Sequence, residues 1–201
     1  MMAAFLVLLT LSFWLALEGM AEAHSPVFLS TGPQGPVRFW REVRDPERAQ
    51  AFYGRLSAGQ AADVIPIQAN QGQTIYLRLL VPGARSLAGF QPSVVLVGPQ
   101  LEGVAPLDLP VPLGPGEGAL PIPAMDPPGT SYEPFTQVRY RVPGMLQGTY
   151  PATGHYKMVI YDPACQGGPY TAALGRRERF GLLDMLTFPL VWTRVRVWLW
   201  K

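Results

Sequence analysis

From residue 50 onward, short apolar runs alternate with turn residues. Ala51-Phe52-Tyr53-Gly54-Arg55-Leu56 forms a first short strand candidate, Asp63 to Ala69 a second, and Thr74 to Val81 a third. In the third, Ile75, Leu77 and Leu79 alternate with Tyr76, Arg78 and Leu80. That period of two gives a strand one apolar and one amphipathic face. The intervening Asn70-Gln71-Gly72-Gln73 predicts a hairpin between the second and third segments. Val94-Val95-Leu96-Val97 is continuously apolar, as suits a central strand buried on both faces. Residues 99–130 are rich in Pro and Gly, with one short strand expected at Ala119 to Pro123. Such a long irregular stretch in a compact domain points to a functional or capping loop. Phe135 to Val142 alternates again, and Gly154 to Tyr161 with Pro169 to Leu174 predicts a second hairpin across residues 162–168. About seven or eight short strands separated by turns predict an all-β, jelly-roll-like antiparallel β-sandwich over residues 24–175.

The two ends break the pattern. Ala3 to Leu17 is an uncharged apolar run, too short for a membrane span of about 20 residues. It leads to Ala21-Glu22-Ala23, an A-x-A cleavage pattern, so residues 1–23 read as a signal peptide. Met1-Met2 brings no Lys or Arg to its start, which leaves an uncleaved anchor as the alternative. The expected location is secreted, periplasmic or at the cell surface. At the other end, residues 176–201 form a basic, Trp-rich tail. Phe180 to Leu186 suits a short helix, and Pro189 suits the first turn of a second. Val191 to Trp200 also alternates with period two, so the tail reads as helical or extended. Trp192, Trp198 and Trp200 interleave with Arg194 and Arg196, the combination that a membrane interface favours. The alternative is a helix or edge strand packed on the sandwich. Asp184, Arg194 and Arg196 interrupt the apolar run, so a full span is not expected.

Composition narrows the class. Hydrophobic residues make up 48% of 201 residues and charged residues 15%, which supports a packed core rather than disorder. With 21 glycines and 22 prolines, long helices have little room. The body from His24 to Gly175 carries equal numbers of acidic and basic residues, and the excess positive charge sits in the tail. A nucleic-acid partner is not expected, because no basic face crosses the domain. Cys165 is the single cysteine, so no intrachain disulfide forms, and burial is its expected environment.

Candidate chemistry is sparse. Cleavage after Ala23 would make His24 the N-terminal residue, whose α-amino nitrogen and Nδ1 could chelate Cu(II), with His155 completing a nitrogen-rich site. Asp126, Glu133 and Asp162 could hold Ca²⁺ in loops, but without the spacing of a calcium loop they read as solvated charge. Tyr132, Phe135 and Tyr140 could stack on a sugar, although aromatics on strands more often build the core. No nucleophile, zinc-protease or phosphate-loop motif occurs, so catalysis is not expected.

Several segments resemble the bacterial pre-peptidase C-terminal modules, small jelly-roll-like sandwiches of secreted proteins. They are Phe52-Tyr53-Gly54-Arg55-Leu56, Asp63 at a strand start, Gly72-Gln73-Thr74-Ile75, Gly154-His155-Tyr156-Lys157-Met158-Val159-Ile160 and Gly168-Pro169-Tyr170-Thr171-Ala172. Val64 and Ile65 stand where that family usually has an aromatic after the aspartate. The chain is also similar to a group of exported prokaryotic proteins through Leu96-Val97-Gly98-Pro99, Glu133-Pro134-Phe135-Thr136 and Gly175-Arg176-Arg177-Glu178-Arg179-Phe180. Neither resemblance implies a reaction. The expected function is an exported, non-enzymatic binding or structural module at the cell surface. The alternatives are a copper-binding protein built on His24 and an accessory subunit held to a membrane complex by its tail.

Overall fold

The computed structural model describes residues 24–29, 35–59, 62–133, 137–178 and 182–200, with backbone alone at 182–189 and 200. The predicted signal peptide lies outside the described residues, as do Phe135, Arg179 and Phe180. The described strands form the expected β-sandwich of two packed sheets. One sheet has six strands in the order β1 (Ser25–Phe28), β3 (Gln50–Leu56), β11 (Gly168–Leu174), β5 (Thr74–Pro82), β9 (Val138–Thr149) and β8 (Ala124–Glu133). The other has five: β2 (Val37–Phe39), β4 (Ala62–Ala69), β10 (Gly154–Tyr161), β6 (Ser93–Pro99) and β7 (Glu117–Pro121). A helix, α1 (Leu182–Trp200), closes the described chain. Pairing is antiparallel except at two edges, where β1 runs parallel to β3 and β2 parallel to β4.

Neither expected hairpin forms. β4 lies in the five-stranded sheet and β5 in the six-stranded one, so the turn at 70–73 arches over the end of the sandwich. The loop from β10 to β11 crosses between sheets in the same way. The reason is the inward apolar set on each strand. Ile65 and Ile67 of β4 and Ile75, Leu77 and Leu79 of β5 belong to one buried cluster between the sheets. Lying in opposite sheets lets both strands bury those faces in a shared core. β6 occupies the expected central place between β10 and β7. Its Val94 and Leu96 face the inter-sheet core, while Val95 and Val97 join a second cluster on the outer face.

The Pro/Gly stretch holds more order than its composition suggests. Its second half contains β8, an edge strand that passes through Asp126-Pro127-Pro128 with a register shift between Ala124 and Gly129. Proline is tolerated there because an edge strand has one side without ladder partners. The tail forms one helix through Pro189, not two. Pro189 lacks an N–H, so the turn above residue 185 forgoes one backbone hydrogen bond.

Two features brace the sandwich, the first within each sheet and the second between the sheets. Tyr170 of β11 crosses Gly54 of β3, and Tyr156 of β10 crosses Gly98 of β6; a Cβ on either glycine would overlap the ring. The second feature is Asp63, fully buried at the start of β4. Its carboxylate accepts from Arg38 Nε at 2.7 Å and Nη2 at 2.8 Å, Trp40 Nε1 at 2.8 Å and Tyr170 O–H at 2.6 Å. Arg38 also donates to the Arg55 carbonyl at 2.9 Å. The cluster therefore ties β2 and β4 of one sheet to β3 and β11 of the other. A buried carboxylate is tolerable only with such complete pairing.

Asp162 and Cys165 exchange the environments expected of them. Asp162 is buried, and its carboxylate accepts the backbone N–H groups of Ala164 at 3.1 Å, Gln166 at 2.8 Å and Gly167 at 3.0 Å. The loop winds around this carboxylate and brings Cys165 to a positive φ of 53°. Its thiol is exposed as a result.

Candidate interaction surface

α1 is apolar around nearly its whole circumference; only Asp184, Thr187, Thr193, Arg194 and Arg196 are polar. Such a helix demands cover on every side. The six-stranded sheet covers one. Val191, Val195, Trp198 and Leu199, at helical spacing, pack against Phe28, Ala51 and Tyr53 on that sheet's outer face. Trp198 meets Tyr53 edge-on at 5.1 Å between ring centroids, and Phe28 stacks on the same tyrosine at 5.3 Å. Burial under the helix pushes the Tyr53 hydroxyl well above the ordinary tyrosine range, reinforced by Tyr140 and Glu133 nearby. Arg55 Nη2 donates to the Trp198 carbonyl at 3.2 Å, a cation where the helix C-terminus carries partial negative charge.

Over residues 190–199, the opposite side of α1 faces out. Leu190, Trp192 and Val197 are exposed there. On a helical projection, Leu190, Thr193 and Val197 form the outward face, with Arg194 on one border and Trp192 and Arg196 on the other. The Arg194 guanidinium lies over Phe28 at 4.7 Å and that of Arg196 over Trp192 at 5.0 Å. Arg196 Nη2 also donates to Gln137 Oε1 at 3.2 Å. The residues expected at a membrane interface thus divide. Trp192, Arg194 and Arg196 border the outward face, Trp198 is packed on Tyr53, and the Trp200 side chain lies outside the description. Period-two alternation had left this segment open between strand and helix. No described helix is long and apolar enough to cross a membrane.

The two histidines stand in different places. His24 precedes β1, with Nε2 3.1 Å from the Gly175 carbonyl. His155 belongs to β10 of the other sheet, with Nδ1 3.1 Å from Glu42 Oε1. Among the described residues, no three His, Cys, Asp or Glu side chains are grouped to hold a metal. Copper binding through His24 and His155 therefore rests on the sequence alone. Asp126 is exposed and Glu133 half-buried on β8, and Tyr132 is exposed beneath the Arg139 guanidinium at 5.8 Å. Tyr140 is buried, as core aromatics are.

The first half of the Pro/Gly stretch, expected to be a functional or capping loop, covers the outside of a sheet. The loop between β6 and β7, residues 100–116, lies on the outer face of the five-stranded sheet. Its Ala105, Leu109 and Val111 pack on Val64, Val95, Val97 and Val159. The signal was present in Val95 and Val97, which need an outer cover if β6 is buried on both faces.

No family profile matches the chain, and no curated protein matches it. Among solved structures it is similar to PliG of Salmonella Typhimurium, a periplasmic lysozyme inhibitor of g-type lysozyme. That match has 12% identity and a TM-score of 0.37, over 76% of this chain and 98% of that one. It is similar to the pre-peptidase C-terminal domain of collagenase from Bacillus anthracis, at 12% identity and a TM-score of 0.32, over 77% and 94%. It is also similar to CorA, a surface-associated copper-binding protein of Methylomicrobium album BG8, at 13% identity and a TM-score of 0.30, over 77% and 99%. Residue roles do not transfer at these identities.

Proposed function

We propose that this chain is an exported, non-enzymatic β-sandwich module that attaches to a membrane surface through α1. The observation that carries this reading is the two-sided helix. One apolar face is satisfied by Phe28, Ala51 and Tyr53, while Leu190 and Val197 face out between Arg194 and the Trp192–Arg196 pair. An apolar strip edged by arginines and a tryptophan is suited to lying in a headgroup layer, with the guanidinium groups reaching phosphates. The export pattern of residues 1–23 supports placing the domain on the outer side of a cell membrane.

The test is flotation of the mature chain with vesicles of phosphatidylglycerol and phosphatidylethanolamine. Leu190→Ser with Val197→Ser removes two exposed side chains without touching the sandwich core. Partition of the parent chain, and a loss of about tenfold or more in the variant, is expected from the apolar area withdrawn. Equal flotation of both chains, or none by either, would end the reading.

A further inference from the structure

The loop of residues 100–116 covers the outer face of the five-stranded sheet and is anchored along its length. Ala105, Leu109 and Val111 are packed beneath it. The Tyr161 hydroxyl donates to Asp108 Oδ1 at 3.2 Å, and the Gly114 N–H donates to Glu117 Oε2 at 2.7 Å. The Leu109 N–H donates to the Pro106 carbonyl at 3.1 Å, closing a four-residue turn with Leu107 at its first corner. On this held scaffold, Leu107 is fully exposed at 108% and Val104 is exposed at 87%. Isolated exposed apolar residues are ordinary on protein surfaces. Here, however, two are displayed within four positions by a segment whose ordering cost is already met in folding. That saving favours binding, because a fixed loop loses little further entropy on contact.

The charge around them selects the kind of partner. Residues 100–116 contain Glu102 and Asp108, both exposed, and no Lys or Arg. Anionic headgroups would repel them. The loop also lies on the face of the sandwich opposite α1. We propose that the Leu107 turn is a recognition element for a protein that presents an apolar pocket bordered by Lys or Arg. Leu107 fills the pocket, Val104 packs at its rim, and Glu102 and Asp108 meet the cations. The element is separate from α1 and does not depend on membrane attachment.

The test places a photoreactive benzoylphenylalanine at position 107 of the full chain in its own host, with the same group at exposed Gln147 as the control position. The expected result is a protein adduct specific to position 107. Once identified and purified, that protein should bind the parent chain and lose about tenfold or more in affinity with Leu107→Ala, as a pocket anchor does. Glu102→Lys should weaken it further, and rising salt should weaken the parent complex. Leu107→Ala should leave thermal unfolding and vesicle flotation unchanged, so failure here is distinct from failure of the membrane reading. The proposal is overturned if position 107 gives no adduct beyond that at Gln147, or if the adduct is a second copy of this chain. It is likewise overturned if the identified protein binds Leu107→Ala as well as the parent, or if Leu107→Ala abolishes vesicle binding.

Discussion

Removing the Asp63 carboxylate should be among the most damaging single changes in the domain. Four donor groups converge on it within 2.6 to 2.8 Å, and two are nitrogens of the Arg38 guanidinium. The Arg38 side chain is only 18% exposed, so Asp63→Ala leaves a largely buried cation without its counterion. Breaking a buried pair from one side typically costs about 3–5 kcal/mol, against a usual total stability of about 5–15 kcal/mol. Tyr170→Phe removes only the charge-assisted O–H donor and should cost about 1.5–3 kcal/mol. Urea unfolding followed by tryptophan fluorescence and far-UV circular dichroism measures both. The sharper test replaces both charges. Asp63→Leu with Arg38→Met removes the unpaired cation and should recover about 2 kcal/mol or more of the loss seen in Asp63→Ala. A cost below about 1 kcal/mol for Asp63→Ala, or a double variant no better than the single, would refute the claim that Asp63 compensates a largely buried cation.

Two further predictions concern buried tyrosines and the glycines they cross. Burial holds the Tyr53 and Tyr170 hydroxyls well above their ordinary range, with the Asp63 charge adding at Tyr170. An unfolded tyrosine ionises near pH 10 while the folded one stays protonated, so the unfolded chain binds fewer protons there. Their contribution is therefore complete below about pH 10 and should be lost above it, at about 1.4 kcal/mol per pH unit for each tyrosine. The phenolate absorbance that Tyr53→Phe or Tyr170→Phe removes should rise together with unfolding in an alkaline titration, and its appearance in the folded chain would contradict this. Gly54→Ala and Gly98→Ala should each cost about 1–3 kcal/mol, because the Tyr170 and Tyr156 rings occupy the space of the new methyl group. Gly148→Ala, with nothing within 4 Å of the added carbon, should shift the denaturant midpoint little by comparison.

What could be read from the sequence, and what could not, follows physical lines. The strands with strong alternation or continuous apolar runs, β3 to β6, β10 and β11, were legible because each has a buried face long enough to show its period. β1 and β2 have only four and three residues and pair at edges, where neither face need be apolar. β8 was hidden by two adjacent prolines, which an edge strand accepts and a central one does not. The hairpin expectations failed because turn residues report that the chain reverses, not whether it returns beside itself or across the core. The Asp63 cluster was visible only as scattered letters. Arg38, Trp40, Asp63 and Tyr170 span more than a hundred positions, and their convergence is a product of topology. The arginines and tryptophans of the tail were legible as a set, but their division between the two faces of α1 needed the helix itself.

The sandwich has a consequence for both surfaces proposed to act. Each sheet is apolar on its outer face as well as its inner one. Val64, Val95, Val97 and Val159 are buried on one outside, and Ala51 and Tyr53 on the other. A sandwich that stopped at its strands would expose both patches to water. The chain covers them with different devices, an acidic loop tethered at both ends and a basic helix at its C-terminal side. The loop is tied to neighbouring strands β6 and β7 and cannot leave without disturbing them. α1 is held by a small aromatic and aliphatic cluster, and the indole N–H of Trp198 finds no acceptor among the described residues, which lowers the net gain of docking. Local opening is thus easier at α1 than at the loop. Yet Leu190 and Val197 lie on the side away from Val195 and Trp198. In the proposed attachment the helix enters a headgroup layer while Tyr53 stays covered, so that reading requires no opening at all.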